Sequence, residues 1–252
     1  MKRTRLTQAA AAPVLALLCA AALTACGGSD SGSDSSDGSK DSADKSGTSD
    51  APEKAADPAA DLDRAVLAKD EVKGYRIDKP AQEFVFAKSK GEIKLDKADC
   101  APLAYAMNQL PLGTPKADAI RVAAGAKGPG AFTYVTLATY EKGAAKTALA
   151  ELSKAVSACG GGFTAKAGKT TNPYSSIAAE TAPAPAGADE SFAFKATQKY
   201  QNNTHTLRAQ AARHGDTIAL YFAVDGLAFT QSRPGDAKIA TAVVNAQSAK
   251  LG

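Results

Sequence analysis

Two histidines, four cysteines and a scatter of carboxylates are what this chain offers for chemistry. His205 has the parity of Leu207, Ala209 and Ala211, so on a strand it points to the apolar face and reads as a satisfied core histidine. His214 falls in a turn, where polar side chains face water. Two histidines alone do not make a zinc site when the nearby cysteines are paired. The sequence has no Gly-x-Ser-x-Gly elbow, no phosphate loop and no His-Glu-x-x-His. Glu141, Glu151, Asp189 and Glu190 could pair as carboxylates, as some pair could in any chain of this size. Asn202-Asn203-Thr204 matches a glycan acceptor by composition alone. Neither catalysis, nor a metal, nor a cofactor is expected.

The cysteines say more. Lys2, Arg3 and Arg5 precede an apolar stretch from Ala9 to Leu23, about 15 residues and short of the ~20 that span a bilayer. Its flanks are those of a signal peptide. Leu23-Thr24-Ala25-Cys26 resembles the lipobox of bacterial prolipoproteins. That resemblance implies cleavage after residue 25, diacylglycerol on the Cys26 thiol, and an anchor on the outer face of the cell membrane. Cys19 lies within the segment that would be removed. Cys100 and Cys159 remain, and in an exported protein an even pair reads as a disulfide, the alternative being two free buried thiols.

From Gly27 to Ala60 the chain is Ser, Gly, Asp, Lys and Ala, with eight acidic residues against three lysines. It cannot bury enough apolar surface to offset its ordering entropy. Residues 26–60 are therefore expected to be a disordered tether, spanning roughly 30 Å as a flexible coil. Residues 61–252 carry 24 basic and 18 acidic side chains and are long enough for one core. Their charges are dispersed, without Lys/Arg blocks or interleaved aromatics, so nucleic acid is not an expected partner.

The elements that must position these groups follow from periodicity. Leu62, Ala65 and Val66 suggest a helix before Gly74-Tyr75. Phe84–Ala87 and Glu92–Leu95 read as strands. Asp99 as cap and Pro102 in the first turn open a helix whose inner face is Cys100, Leu103, Met107 and Leu110. Strands follow at Ala119–Ala123 and Phe132–Tyr140. Ala145, Leu149, Leu152, Val156 and Cys159 line one face of a second helix, closed by Gly160-Gly161-Gly162. A loop is expected over Lys169–Asp189. Strands are expected at Ser191–Lys199, Thr204–Arg213 and Thr217–Val224, the last apolar on both faces and so central. A final helix capped by Asp236 buries Ile239, Val243 and Ala246. Hairpins interleaved with three good helices predict an α+β fold, a mainly antiparallel twisted sheet flanked by about three helices with one disulfide. Both cysteines face the core, and a bridge closing their 59-residue separation is worth about 4 kcal/mol at most.

This order resembles the extracellular sensor domain family of the mycobacterial receptor kinase PknH and related actinobacterial lipoproteins. The matching residues are Gly74-Tyr75, Asp99-Cys100, the strand Tyr134–Tyr140, Ala155-Val156-Ser157-Ala158-Cys159, Gly187-Ala188-Asp189-Glu190-Ser191, and Arg213-His214-Gly215-Asp216-Thr217-Ile218. The resemblance implies a twisted sheet with helices and a cleft for a ligand. The present sequence departs from it in offering one disulfide where the kinase sensor has two.

The expected function is accordingly that of a monomeric, lipid-anchored, ligand-binding or sensor-type domain whose ligand is a small molecule, a lipid or an envelope component. Tyr134, Phe192, Phe194 and Tyr221 are candidate rings for its cleft, with Lys195 and Arg208 at the rim. The competing expectation is an interaction module that docks on anionic wall polymer or on a partner protein.

Overall fold

Runs of Val, Ile, Tyr, Phe and Thr between 117 and 225 set the architecture, because such side chains fit a pleated surface covered on one or both faces. The structure, a computed structural model, describes residues 57–126 and 130–252. The signal-peptide and lipidation assignments lie outside them, as does the tether up to Ala56.

The described chain begins with α1 (Pro58–Ala65), whose first free N–H groups on Ala59 and Ala60 donate to the Asp57 carboxylate. The helix thus starts inside the segment that composition alone assigned to the tether. An Asp-Pro pair supplies both a cap and a first-turn residue with no N–H to satisfy.

Ten strands form one sheet. Along it run β1 (Tyr75–Asp78), β3 (Ala117–Gly125), β4 (Ala131–Thr139), β9 (Thr217–Asp225), β8 (Asn203–His214), β7 (Glu190–Tyr200), β6 (Thr170–Glu180), β5 (Phe163–Ala167) and β2 (Ile93–Leu95), every neighbouring pair antiparallel. β10 (Gly235–Asp236) pairs in parallel with the start of β8. Helix α2 (Ala101–Met107) and helix α3 (Ala144–Ala158) precede and follow the β3–β4 hairpin, α4 (Gly226–Thr230) follows β9, and α5 (Thr241–Ala249) ends the chain. The fold is α+β with a large antiparallel sheet, as the patterning indicated, and five α-helices rather than three among the described residues.

Strand alternation divides the core in two. On one face Ile218, Leu220 and Phe222 of β9 join Tyr134 and Ala138 of β4 beneath α2 and α3. On the other, Ala219 and Tyr221 join Val135 and Leu137 beneath α1 and α5. β9 is covered on both sides, as its doubly apolar sequence requires. Cys100 and Cys159 form a disulfide with Cα atoms 5.9 Å apart, joining the start of α2 to the end of α3. Gly162 (φ +86°) follows that helix so closely beneath β6 that an added Cβ would lie 2.2 Å from the Tyr174 carbonyl oxygen. Only glycine fits both the backbone conformation and the space.

β1 and β2 are consecutive in the chain yet lie at opposite edges of the sheet. Eight strand spacings of about 4.8 Å make roughly 38 Å if laid flat. The connection over residues 79–92 can reach about 45–50 Å when extended. It therefore crosses the face under α2 and α3 as a strap. Ala87 and Ile93 sink into that core, while Phe86 packs edge-on against Tyr134 at 5.4 Å and Phe222 at 6.3 Å. The strap is not the strand expected over Phe84–Ala87. Gln82–Phe84 is a 3-10 turn, and only Ile93–Leu95 pairs.

Three further expectations are corrected. The loop expected over Lys169–Asp189 holds the eleven-residue β6, turned from β5 at Gly168 and Lys169. Asp99 makes no capping hydrogen bond and lies in a 3-10 turn ahead of α2. Asp236 does not cap α5; it pairs along β8 and holds Arg208 by its carboxylate.

Candidate functional site

On the face crossed by the strap, Tyr134, Thr136 and Ala138 of β4 are buried, while Val122 of β3 and Phe132 at the start of β4 are only partly covered. Register places Val122 beside Tyr134 and Ala124 beside Phe132, with Asp78 and Arg76 next in the same two rows. Val122, Ala124, Phe132 and Tyr134 floor a cleft of about 580 Å³, and Phe84 of the strap walls it. Its size and apolar floor are those of a small-molecule site. Phe84 stands 55% exposed, unusual for a ring beside an apolar concavity. At the rim, Arg76 Nε donates to Asp78 at 2.7 Å, and Lys79 lies 4.0 Å from Asp63. Burial pushes the Tyr134 phenol up to about 12, against a hydrogen bond with Gln109 that lowers it.

Gln109 positions the strap. It is buried, sits at φ +65°, and its side-chain Nε2 donates to the Phe84 carbonyl at 2.9 Å while Oε1 accepts from the Phe86 N–H at 3.4 Å. Its own carbonyl accepts from Thr136 Oγ1 on β4 at 3.1 Å. One amide thereby satisfies both groups of a segment that has no sheet partner. The isosteric Gln109→Glu removes the donor toward Phe84, and the expected cost is about 2 kcal/mol with faster amide exchange over residues 84–87. Unchanged exchange there would show that Gln109 does not hold the strap.

The sequence-derived ligand residues are not brought together. Tyr134 borders the cleft. Phe194, on the same face but across the sheet, is fully buried under α3, with Phe192 packed against the same core. Lys195, Arg208 and Tyr221 occupy the opposite face. Tyr221 is fully buried, its hydroxyl 3.5 Å from the Val244 carbonyl of α5. Arg208 is engaged by Glu180 at 2.8 Å, by Asp236 and by the Ala237 carbonyl. Lys195 is exposed beside it. Arg76, Phe84 and Val122 were missed, although Phe84-x-Phe86 in an otherwise polar segment was a visible signal.

Both histidines depart from expectation. His205 faces inward, stacked on Phe229 of α4 with ring centroids 3.9 Å apart, but neither ring nitrogen has a hydrogen-bond partner among the described residues. Gln198, directly across on β7, likewise leaves Oε1 unpartnered. Burial pulls the His205 pKa down, with Asp225 opposing and Arg233 assisting. His214 is buried rather than exposed, because the Gly187 turn and the C-terminal Gly252 fold over the end of β8. Burial lowers its pKa too, against the pull of Asp189.

The nearby carboxylates have structural work. Asp189 accepts from Arg213 Nη1 and from the Gly215 N–H, both at 2.8 Å, and these hydrogen bonds hold it below the usual carboxylate range. Asp225 caps α4 through the Ala228 N–H at 2.9 Å. The Asp216 carboxylate accepts from the Gly143 N–H at 3.0 Å, tying the β8–β9 turn to the start of α3. Among the described residues no three His, Cys, Asp or Glu gather as a metal site, and no helix is long and apolar enough to cross a membrane.

No protein-family model matches the chain, and no curated protein matches it. Among solved structures it is similar to the extracellular domain of PknH from Mycobacterium tuberculosis, with 11% identity over 74% of this chain and 90% of that one and a TM-score of 0.47. It is also similar to an uncharacterized protein (Rv0999 ortholog) from Mycobacterium smegmatis, with 13% identity over 76% and 92% and a TM-score of 0.35.

Proposed function

We propose that the chain is a cell-surface lipoprotein whose domain binds, without transforming it, a small molecule or lipid with an apolar body, in the cleft between the strap and the β1–β3–β4 end of the sheet. The supporting observation is the cleft itself, walled by the Phe84 ring, which stands largely in water although apolar space lies beside it. Cys26 would hold the domain at the outer face of the membrane on an acidic tether. The domain acts as a monomer in this reading.

Two measurements test it. The wild-type protein should partition with membranes and incorporate labelled palmitate, and Cys26→Ala should do neither; retention of both by the variant would remove the anchor. Extracted envelope lipids and metabolites, added to the Cys26→Ala chain, should contain a fraction that raises its melting temperature. A ligand at 100 times its dissociation constant adds about 2.7 kcal/mol. No stabilisation by any fraction, together with salt-sensitive capture on wall polymer, would favour the interaction module instead.

A further inference from the structure

The rim of the cleft decides which end of a ligand stays in water. Arg76 engages Asp78 through Nε, at 2.7 Å, and among the described residues its two terminal nitrogens make no hydrogen bond. Those nitrogens form one side of the guanidinium fork that binds a carboxylate or phosphate through two parallel hydrogen bonds. Lys79, next along the same edge strand's exit, has its nearest carboxylate oxygen at 4.0 Å on Asp63, which Arg121 already holds at 3.0 Å. Among the described residues that line the cleft Asp78 is the one carboxylate, and Arg76 occupies it. The rim therefore carries two cations against one anion, above a floor of Val122, Ala124 and Phe132 with no charge.

Resting on the reading of the cleft as a ligand site, we propose that its ligand is an anionic amphiphile. Its apolar body lies along the β3–β4 floor under Phe84, and its carboxylate or phosphate is held by Arg76 and Lys79. A cationic head would meet two like charges there. A neutral one would leave the guanidinium nitrogens with water only. The same chemistry is presented by a free long-chain acid and by the head group of an anionic lipid.

The test uses the full chain carrying Cys26→Ala and three monomeric probes of equal chain length: dodecanoate, dodecanol and dodecyltrimethylammonium. Affinities are read by calorimetry below the micellar range. Dodecanoate should bind about tenfold or more tighter than either of the others, as a charge-assisted pair implies. The double variant Arg76→Glu and Lys79→Glu, at side chains about 70% exposed, should lose that margin for dodecanoate, leave dodecanol unchanged and favour the ammonium. Val122→Trp, filling the floor, should abolish binding of all three. Phosphatidylglycerol vesicles that displace bound dodecanoate would identify a lipid as the source, and vesicles that fail to do so a free acid. Equal binding of dodecanoate and dodecanol, unmoved by the charge reversal but blocked by Val122→Trp, would overturn the anionic ligand and leave the cleft reading intact. Absence of binding by every probe, or binding that Val122→Trp leaves untouched, would overturn both. Should Val122→Trp not fold, the charge reversal alone still decides the ligand's charge.

Discussion

Cys100→Ser and Cys159→Ser are each expected to lower the unfolding free energy by up to about 4 kcal/mol, and the double substitution by no more than either alone. The bridge joins positions 59 residues apart, so its loss returns to the unfolded chain the freedom of a long loop. The consequence in the fold is local. α2 and α3 pack on each other and cover the face formed by β5 to β9, so the bridge fixes the roof of the larger core. Against the 5–15 kcal/mol typical of a domain, such a loss is large. Thermal denaturation with and without reductant checks it, with alkylation as the independent readout. The native protein should take up no thiol reagent at either cysteine until reduced. A double variant melting within a degree or two of wild type would contradict this account.

Acid should destabilise the fold well above the range where carboxylates titrate. Burial depresses the pKa of His205 and of His214 below the ordinary histidine value near 6.5. In the unfolded chain each takes up its proton as pH falls through that value, whereas in the fold each stays neutral to lower pH. The stability they allow is therefore complete above the unfolded pKa and is lost as pH drops toward the folded one. The limiting slope is about 1.4 kcal/mol per pH unit for each histidine, so about 2.7 for both. His205 should matter more to the structure around α4, because its ring is the surface on which Phe229 stacks. Protonation there should first expose residues 226–236, measured by amide exchange at pH 5.5 against pH 7.5. Denaturant melts of a His205→Leu and His214→Leu double variant should show a nearly flat stability between those values. A slope equal to wild type in that variant would mean that other groups set the acid limit.

The sequence carried the regular parts of this fold because their periods are uninterrupted. β7, β8 and β9 were legible to within a residue or so at each end, and the inner faces of α2 and α3 led directly to the disulfide. β6 was not legible, for a reason visible in its register. A bulge between Tyr174 and Ser176 puts Tyr174 and Ile177, three residues apart, on one face, and Pro173 sits within the strand. Period two is broken where it is needed, and the remaining Thr, Asn and Ser read as loop. The cleft was illegible because no segment contains it. It is assembled from β1, β3, β4 and a strap that pairs with no strand among the described residues, and only the topology brings Arg76 and Phe84 to Phe132. Two of the ring candidates show the converse, since the fold buries both. Phe194 and Tyr221 were found because they are apolar and regular, which is what core residues are.

The order of strands also bears on how the chain reaches this state. β5 to β9 form one uninterrupted meander and β3–β4 one hairpin, so seven of the ten strands meet partners close in sequence. Joining the two blocks requires β4 to find β9, with the 94-residue separation between Ala131 and its partner Asp225 only partly shortened by the intervening helix and hairpins. Local pairings close cheaply and distant ones slowly. A chain delivered N-terminus first presents β4 with its outer edge unpaired until nearly the whole polypeptide is available. The Thr and Tyr side chains on that strand then face solvent beside an open row of N–H and C=O groups, the condition under which strands pair with other molecules. For this architecture the vulnerable interval lies between the emergence of residue 139 and that of residue 225, and whatever shortens it protects the yield of folded protein.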